Sequence, residues 1–266
     1  MRIGVVGAGA IGLALTSLLS EKHEVLLVCK RKEQAKALGQ FTGFEKLGKV
    51  SFFILATKAY DAEKALTALR KIYPSTPVLA IQNGLIHFKD PNVIQGVTTF
   101  AATKKSDTHS QLIASGEIVL TKKKGSTKIV KAFGQSGITA KETKNIGRFL
   151  WEKFFVNVGI NALGATTGKT NGELARDPMI LARMERAVGE AVLVSETNAD
   201  PRNVFHRVVE VALLTSGNKC SMLQDVEARR KTEVDFLNGS VVRMGEALGL
   251  DTPENKLLTE QVKLLV

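Results

Sequence analysis

The sequence predicts an α/β fold, in which an N-terminal doubly wound parallel sheet is followed by an all-helical C-terminal region. Three observations predict it. A glycine-rich turn joins a strand-like run to a helical run at the start of the chain. Strand-like and helical runs then alternate as far as about residue 145. Beyond that residue the strand patterns end. We therefore expect two domains, residues 1–145 and residues 146–266.

The glycine-rich turn has the order of a Rossmann dinucleotide-binding unit. An apolar strand-like run precedes it, and an apolar helical run, residues 13–19, follows it. In such a unit the first glycine makes the tight turn, the second lets the backbone approach a pyrophosphate, and the third lets helix and strand pack closely. The helix N-terminus then offers N–H groups to the phosphates. The predicted cofactor-binding residues here are Gly7, Ala8, Gly9, Ala10, Ile11 and Gly12.

The residues after the second strand indicate which dinucleotide binds. NAD sites place Asp or Glu there to accept a hydrogen bond from the ribose 2′-hydroxyl. This chain has Lys30-Arg31-Lys32, whose cations would attract a 2′-phosphate. NADP(H) is therefore favoured over NAD(H). The alternative is a solvated basic start to the next helix, and neighbouring residues can serve both purposes.

The remaining elements follow the same alternation. Residues 50–56 and 77–81 are apolar runs typical of buried parallel strands, and a helix is expected at residues 61–72 between them. Further strands are predicted near residues 92–99, 117–120 and 138–140, and a long helix at about 178–198. The active site is expected between the sheet domain and the helical domain.

Charge is distributed unevenly along the chain. The net charge of the protein is +11, with +12 on residues 1–145 and −1 on residues 146–266. A basic surface can indicate nucleic acid, but the chain has only two Tyr and one Trp, and Lys122-Lys-Lys124 fits a solvated loop. We expect a polyanionic cofactor and a small anionic substrate, with no nucleic-acid partner.

Other functional classes lack the residues they need. No apolar run has the length required to cross a bilayer, so we expect no membrane association. The four histidines are scattered, and nothing has the spacing of a metal site or a Ser/His/Asp triad. Cys29 and Cys220 lie far apart, which predicts reduced thiols and a cytoplasmic protein.

A polar stripe in an otherwise apolar helical segment predicts the catalytic group. Lys153, Asn157 and Asn161 recur at i, i+4 and i+8, so they share one helix face. A nearly all-apolar helix is buried, and its polar residues must then find partners or line a cleft. The pKa of a partly desolvated lysine is lowered, which suits a proton donor near neutral pH. The alternative is an ordinary solvated helix face.

Several motifs together make the chain resemble the ketopantoate reductases, over nearly its whole length. The glycine turn is the least specific of them, and the segment from Ser221 to Gly239 is the most specific. The others are Thr57-Lys58-Ala-Tyr-Asp61, Gln82-Asn83-Gly84, Trp151-Glu-Lys153-Phe-Phe-Val-Asn157 and Asn171-Gly-Glu-Leu174.

The resemblance implies NADPH-dependent reduction of 2-dehydropantoate to D-pantoate, for pantothenate and coenzyme A biosynthesis. It implies that Lys153 is the general acid and that the helical domain binds substrate and carries the surface of a homodimer, although the sequence does not fix the oligomeric state. The implied substrate ligands are Asn83, Asn157, Asn161, Asn171, Asn218 and Ser221; the implied cofactor ligands are Lys30, Arg31, Lys58, Asn83, Ala102 and Glu233.

Plainer interpretations stay open for individual residues. Ser221 and Gln224 fit a helix-capping box, Glu233 could pair with Arg229 on the surface, and Asn83 could simply form a turn. Lys58 could be a solvated loop lysine.

The chain also departs from the family at Phe100, where a histidine is common, and at Cys220, where a second serine is frequent. These departures leave the exact 2-ketoacid open. Two rival functions also stay open: an NAD-dependent D-2-hydroxyacid dehydrogenase on the same scaffold, and a non-catalytic NADP(H) sensor.

Overall fold

A computed structural model describes all 266 residues of the chain. The chain divides into two compact units, which are considered separately. The first consists of Met1–Gln82 with Ile86–Phe149, and the second of Asn83–Leu85 with Leu150–Val266. The sequence predicts domains at residues 1–145 and 146–266, and independent folding of these two parts stays a prediction. No helix combines the length and the apolar content that crossing a bilayer requires.

The first unit alternates strands and helices along the chain, as its sequence pattern predicts. Two of its strands pair only with each other, and the other seven form one sheet. The elements in chain order are β1 (Arg2–Val6), α1 (Ala10–Ser20), β2 (Glu24–Val28), α2 (Lys32–Leu38), β3 (Phe52–Leu55), α3 (Ala59–Arg70), β4 (Val78–Ala80), β5 (Val93–Thr98), β6 (Ala101–Lys104), β7 (Ser110–Ala114), β8 (Glu117–Thr121), α4 (Ser126–Gln135) and β9 (Thr139–Thr143).

The main sheet has the strand order β2-β1-β3-β4-β5-β8-β9. All neighbouring pairs are parallel except β5 and β8. The four residues of β3 are wholly buried, as expected of a central parallel strand covered on both faces. Phe52 packs edge-on against Phe133 of α4, while Phe53 packs against Tyr73 after α3. Each buried Phe contributes about 2 kcal/mol to stability. The predicted α/β fold class is therefore confirmed.

The second unit is helical. Its elements are α5 (Ile146–Thr167), which starts in the first unit, α6 (Asn171–Leu174), α7 (Pro178–Leu193), α8 (Pro201–Leu214), α9 (Ser221–Glu227), a 3-10 turn (Val234–Phe236), α10 (Asn238–Leu248) and α11 (Pro253–Lys263).

Two fully buried asparagines connect four of these helices. The side-chain amide of Asn238 donates to the Val158 carbonyl of α5 at 3.2 Å and to Asn255 of α11 at 2.9 Å. Asn255 in turn donates to the Ala187 carbonyl of α7 at 2.9 Å. Because buried amides need partners, this network fixes how α5 packs against α7, α10 and α11.

The structure differs from the sequence prediction in two elements. The helix expected at residues 178–198 ends at Leu193, where the Ser195 hydroxyl donates to the Val192 carbonyl at 2.8 Å and so satisfies one carbonyl of the last turn. The β6–β7 hairpin has no counterpart in the sequence prediction. Its strands are short and no residue in them is buried, so they lack the apolar pattern of a core strand.

Candidate active site

The glycine-rich turn of the first unit has the geometry that a dinucleotide turn requires. Gly7 has a φ of +107°, a backbone conformation that favours glycine. A Cβ on Gly12 would lie 1.8 Å from the Gly7 carbonyl oxygen, whereas a Cβ on Gly9 would meet nothing within 4 Å. The turn is thus closed where α1 packs against β1 and open at Gly9, the residue expected to approach a pyrophosphate.

Helix α1 begins directly after this open glycine. Gly9 is its N-cap and gives no side-chain hydrogen bond to the first turn. The first N–H groups of a helix have no partner within the helix, and the helix dipole makes that end attractive to anions. Ala8, Ala10 and Ile11, the other predicted cofactor residues of the turn, flank or open this helix.

The predicted phosphate-binding cations follow β2, and both contact carboxylates. Lys30 Nζ lies 3.0 and 3.1 Å from the two carboxylate oxygens of Asp61, in the first turn of α3. Arg31 contacts Asp107, in the turn of the β6–β7 hairpin. Lys104 Nζ reaches the same Asp107 oxygen at 2.8 Å. The two cations and their hydrogen bonds lower the pKa of Asp107 to about 2, so this carboxylate is charged at neutral pH.

Two further predicted cofactor residues occupy defined places in the first unit. Lys58 is the N-cap of α3, just beyond the carboxyl end of β3, which lies beside β1 in the sheet. A Cβ on Gly7 would lie 2.9 Å from the Thr57 nitrogen, so the segment that holds Lys58 runs next to the glycine turn. Ala102 lies in β6, opposite Leu112 of β7.

The polar stripe of the second unit lies on α5, as the periodicity predicts. Lys153 and Asn157 are partly buried, and Asn161 is only 5% exposed. Desolvation lowers the pKa of Lys153 to about 8, and the nearby Glu233 carboxylate opposes that change. An ammonium with this pKa is mostly protonated at pH 7 and releases its proton far more readily than an exposed lysine does.

Glu233 and Asn83 form a pair beside this lysine. Asn83 is brought into the second unit by the short segment Asn83–Leu85, and its amide donates to Glu233 Oε2 at 3.1 Å. Glu233 is 5% exposed. A surface pair with Arg229 is therefore wrong for Glu233, and Asn83 does more than form a turn.

Asn171 and Asn218 meet through their backbones near the start of α6. The Asn171 N–H donates to the Asn218 carbonyl at 2.9 Å, and the Asn171 side-chain amide donates to Thr215 Oγ1 at 2.9 Å. Three buried polar atoms in this unit have no hydrogen-bond partner: Nδ2 of Asn157, Oδ1 of Asn171 and Oδ1 of Asn238. Asn238 belongs to the interhelical network, whereas Asn157 and Asn171 are predicted substrate ligands. Such atoms are costly unless a ligand or water satisfies them, so Asn157 Nδ2 is suited to donating to a substrate oxygen and Asn171 Oδ1 to accepting from a substrate hydroxyl.

Ser221 is the first residue of α9, and the residue before it caps the helix. Cys220 Sγ accepts from the Leu223 N–H at 3.4 Å and donates to the Asn161 carbonyl at 3.5 Å. Gln224 donates instead to the Lys219 carbonyl at 2.9 Å. The capping-box interpretation of Ser221 is therefore wrong. Its exposed hydroxyl is left at a helix N-terminus, the kind of place where carboxylates bind.

Sequence reasoning missed Cys220 as the group that joins α9 to α5. Burial raises the pKa of its thiol to about 11, so it is not a nucleophile. A Cβ on Gly164 of α5 would lie 2.7 Å from the sulfur, which shows how closely the two segments pack. The sequence offered no signal for this role because cysteine is not among the usual N-cap residues.

Family models match almost the whole chain. Residues 3–125 match the model described as ketopantoate reductase PanE/ApbA, and residues 145–266 match its C-terminal counterpart. Among curated proteins, the 2-dehydropantoate 2-reductase of Pyrobaculum aerophilum is 30% identical, over 97% of this chain and 96% of its own length. That of Pyrococcus abyssi is 29% identical, over 99% of this chain and 97% of its own length.

Solved structures of similar proteins include two kinds of enzyme. A D-mandelate dehydrogenase, solved as a ternary complex with NADH and anilino(oxo)acetate, is 25% identical, with a TM-score of 0.90 over 100% of this chain and 98% of that one. A probable 2-dehydropantoate 2-reductase from Bacillus subtilis is 26% identical, with a TM-score of 0.84 over the full length of both chains.

Proposed function

Because the chain belongs to the ketopantoate reductase family, we propose that it catalyses the NADPH-dependent reduction of 2-dehydropantoate to D-pantoate, a step toward pantothenate and coenzyme A. The observation that carries this proposal is the stripe on α5, where a desolvated Lys153 with a pKa of about 8 lies on one helix face with two asparagines. That arrangement suits protonation of an oxygen during hydride transfer to a carbonyl.

The first unit has the features needed to hold a nicotinamide dinucleotide. The open space at Gly9 and the start of α1, where no side chain caps the helix, fit a pyrophosphate. Lys30 and Arg31 would hold the 2′-phosphate, and Lys58, Asn83, Ala102 and Glu233 would contact the rest of the molecule. When bound, the cofactor supplies the hydride.

The second unit supplies groups that match a small 2-ketoacid. The side-chain nitrogen of Asn157 and the side-chain oxygen of Asn171 are both buried without a partner. Asn157 would donate to the keto oxygen of the substrate and Asn171 would accept from its hydroxyl, together with Asn161. Ser221 and the backbone at Asn218 would bind its carboxylate at the start of α9. Buried polar groups of this kind discriminate strongly, because a compound that leaves them unpaired forfeits hydrogen bonds.

Lys153 would act as the general acid. Its ammonium would first stabilise the negative charge that develops on the keto oxygen, and then donate a proton from Nζ to that oxygen. The Glu233 carboxylate keeps the amine protonated at a higher pH than burial alone would allow. Asn83 orients Glu233 by the hydrogen bond between them.

A second candidate is an NADH-dependent D-2-hydroxyacid dehydrogenase. Two observations favour it: Lys30 and Arg31 contact carboxylates, and the similar D-mandelate dehydrogenase was solved with NADH. A carboxylate near the adenosine ribose could accept a hydrogen bond from a 2′-hydroxyl, as in NAD enzymes. The same α5 stripe would serve this reaction, so the two candidates differ in cofactor and in ketoacid.

A matrix of initial rates separates these candidates. The purified protein is mixed with NADPH or NADH and with each member of a panel of 2-ketoacids, and the absorbance of the reduced nicotinamide is followed. We expect the highest kcat/KM for 2-dehydropantoate with NADPH. A higher kcat/KM for a bulky 2-ketoacid with NADH would favour the second candidate. Binding of NADPH without turnover of any ketoacid would favour a sensor.

A further inference from the structure

The β6–β7 hairpin packs against the helix that follows the glycine turn. The Ser110 hydroxyl of β7 donates to the Ala10 carbonyl, in the first turn of α1, at 2.8 Å. The turn between the strands is closed by hydrogen bonds from the Lys105 and Ser106 N–H groups to the His109 carbonyl, at 3.0 and 3.1 Å. These contacts hold the hairpin tip beside the expected cofactor site.

One side chain links the hairpin tip to the glycine turn directly. Gln34 of α2 is 5% exposed, and its amide nitrogen donates both to the Ala8 carbonyl at 2.9 Å and to the Asp107 carbonyl at 2.7 Å. This single side-chain amide therefore bridges the backbone of the hairpin tip and the backbone of the glycine turn. Asp107 is thus positioned by a partly buried hydrogen bond to its backbone carbonyl.

Two cations converge on the carboxylate of Asp107. Arg31 and Lys104 both contact the same oxygen, Oδ1. The Lys104 side chain is only 22% exposed, whereas that of Lys30, the other predicted phosphate ligand, is 78% exposed and turned to Asp61. Lys104 is therefore the more firmly held of the two lysines, and it shares an anion with Arg31.

We propose that Lys104 is a further ligand of the cofactor's 2′-phosphate, together with Arg31, and that the Asp107 carboxylate is an internal anion that this phosphate displaces. The proposal rests on the proposed function in requiring that the cofactor is NADP(H). A phosphate offers the same two cations more charge and more acceptor oxygens than a carboxylate does. The exchange of one anion for another leaves neither cation unpaired. The hairpin thus sets cofactor specificity from a distant part of the sequence.

Equilibrium binding of two small ligands to the full chain tests the proposal without turnover. The probes are 2′,5′-ADP and 5′-AMP, which differ only in the 2′-phosphate, and calorimetry measures the Kd of each. Lys104→Ala should weaken 2′,5′-ADP binding by roughly tenfold, the effect of one lost charge-assisted hydrogen bond, and leave 5′-AMP binding unchanged. Lys104→Gln should do the same if the alanine variant is unstable. Lys105→Ala, which removes the neighbouring exposed lysine, is the matched control and should leave both values unchanged.

Asp107→Asn tests the internal anion. It should tighten 2′,5′-ADP binding by about threefold or more, because the phosphate no longer competes with a charged carboxylate. Weaker 2′,5′-ADP binding in this variant would overturn the competitor role.

The outcomes separate this proposal from the proposed function. If the unaltered protein binds 5′-AMP as tightly as 2′,5′-ADP, the NADP(H) preference itself is overturned. If it prefers 2′,5′-ADP but Lys104→Ala retains that preference, only the assignment of Lys104 is overturned. An equal loss in Lys104→Ala and Lys105→Ala would likewise overturn it, since general charge would then explain the effect.

Discussion

Lysine and arginine residues play different parts in the two units of the protein. In the first unit, the side chains of Lys30 and Arg31 are 78% and 52% exposed, and each contacts a carboxylate. In the second unit, Lys153 is desolvated on a largely apolar helix, and its pKa falls to about 8. The environment therefore separates two kinds of chemistry: an exposed cation attracts an anion, while a desolvated lysine can give up a proton.

The largest expected effect follows from removing the desolvated amine of Lys153. Lys153→Ala should lower kcat for ketoacid reduction by roughly 10²–10⁴-fold, the usual loss for a general acid. The Kd for NADPH, measured by calorimetry, should change little, because the cation is assigned to proton transfer and not to phosphate binding. Lys169→Ala, which removes a lysine paired with Asp177 in the same unit, is the matched control. A Lys153→Ala enzyme with near-normal kcat would show that this lysine is not the proton donor, and the contrast with the anion-binding cations of the first unit would fail.

The exposed cations should show the opposite behaviour. Lys30→Ala combined with Arg31→Ala should raise the KM for NADPH by about tenfold or more and leave kcat nearly unchanged, because these groups contribute charge to binding and not a proton. The KM for NADH, which has no 2′-phosphate, should change far less. Equal increases for both cofactors would contradict the phosphate assignment. Lys36→Ala, in the last turn of α2, is a suitable control for a general loss of charge.

A smaller effect should follow from changing the charge beside Lys153. Glu233 raises the pKa of Lys153 and so opposes desolvation. Glu233→Gln removes that effect, so the pKa should fall further and the alkaline decline in reductase activity should begin at a lower pH. The measurement is the pH dependence of kcat/KM for the ketoacid. Glu227→Gln, at a half-exposed carboxylate paired with Lys219, should leave the profile in place. A decline that moved to higher pH in Glu233→Gln would contradict the electrostatic account.

The parts of this arrangement that arise from local patterns could be predicted from the sequence. The glycine turn specifies a strand, a tight turn and a helix within a dozen residues, and the 3.6-residue period places Lys153, Asn157 and Asn161 on one helix face. Both features depend on neighbours along the chain.

The parts that arise from long-range contacts could not be predicted. Arg31 and Asp107 are separated by 76 positions, and the strands of the β6–β7 hairpin lack a buried apolar face that would reveal them. Local patterns also misassigned the cap of α9, because Ser221 is the usual residue type while Cys220 is the one that lies near α5. Tertiary contacts override local preference in both cases.

The central claim, that Lys153 donates the proton, is tested most directly by the pH dependence of kcat/KM for ketoacid reduction in the unaltered enzyme and in Lys153→Ala. The ammonium is the active form, so the account predicts a level rate below the pKa of about 8 and a fall of about tenfold per pH unit above it. The residual activity of Lys153→Ala should lack this decline. A decline that persists unchanged in Lys153→Ala would contradict the account.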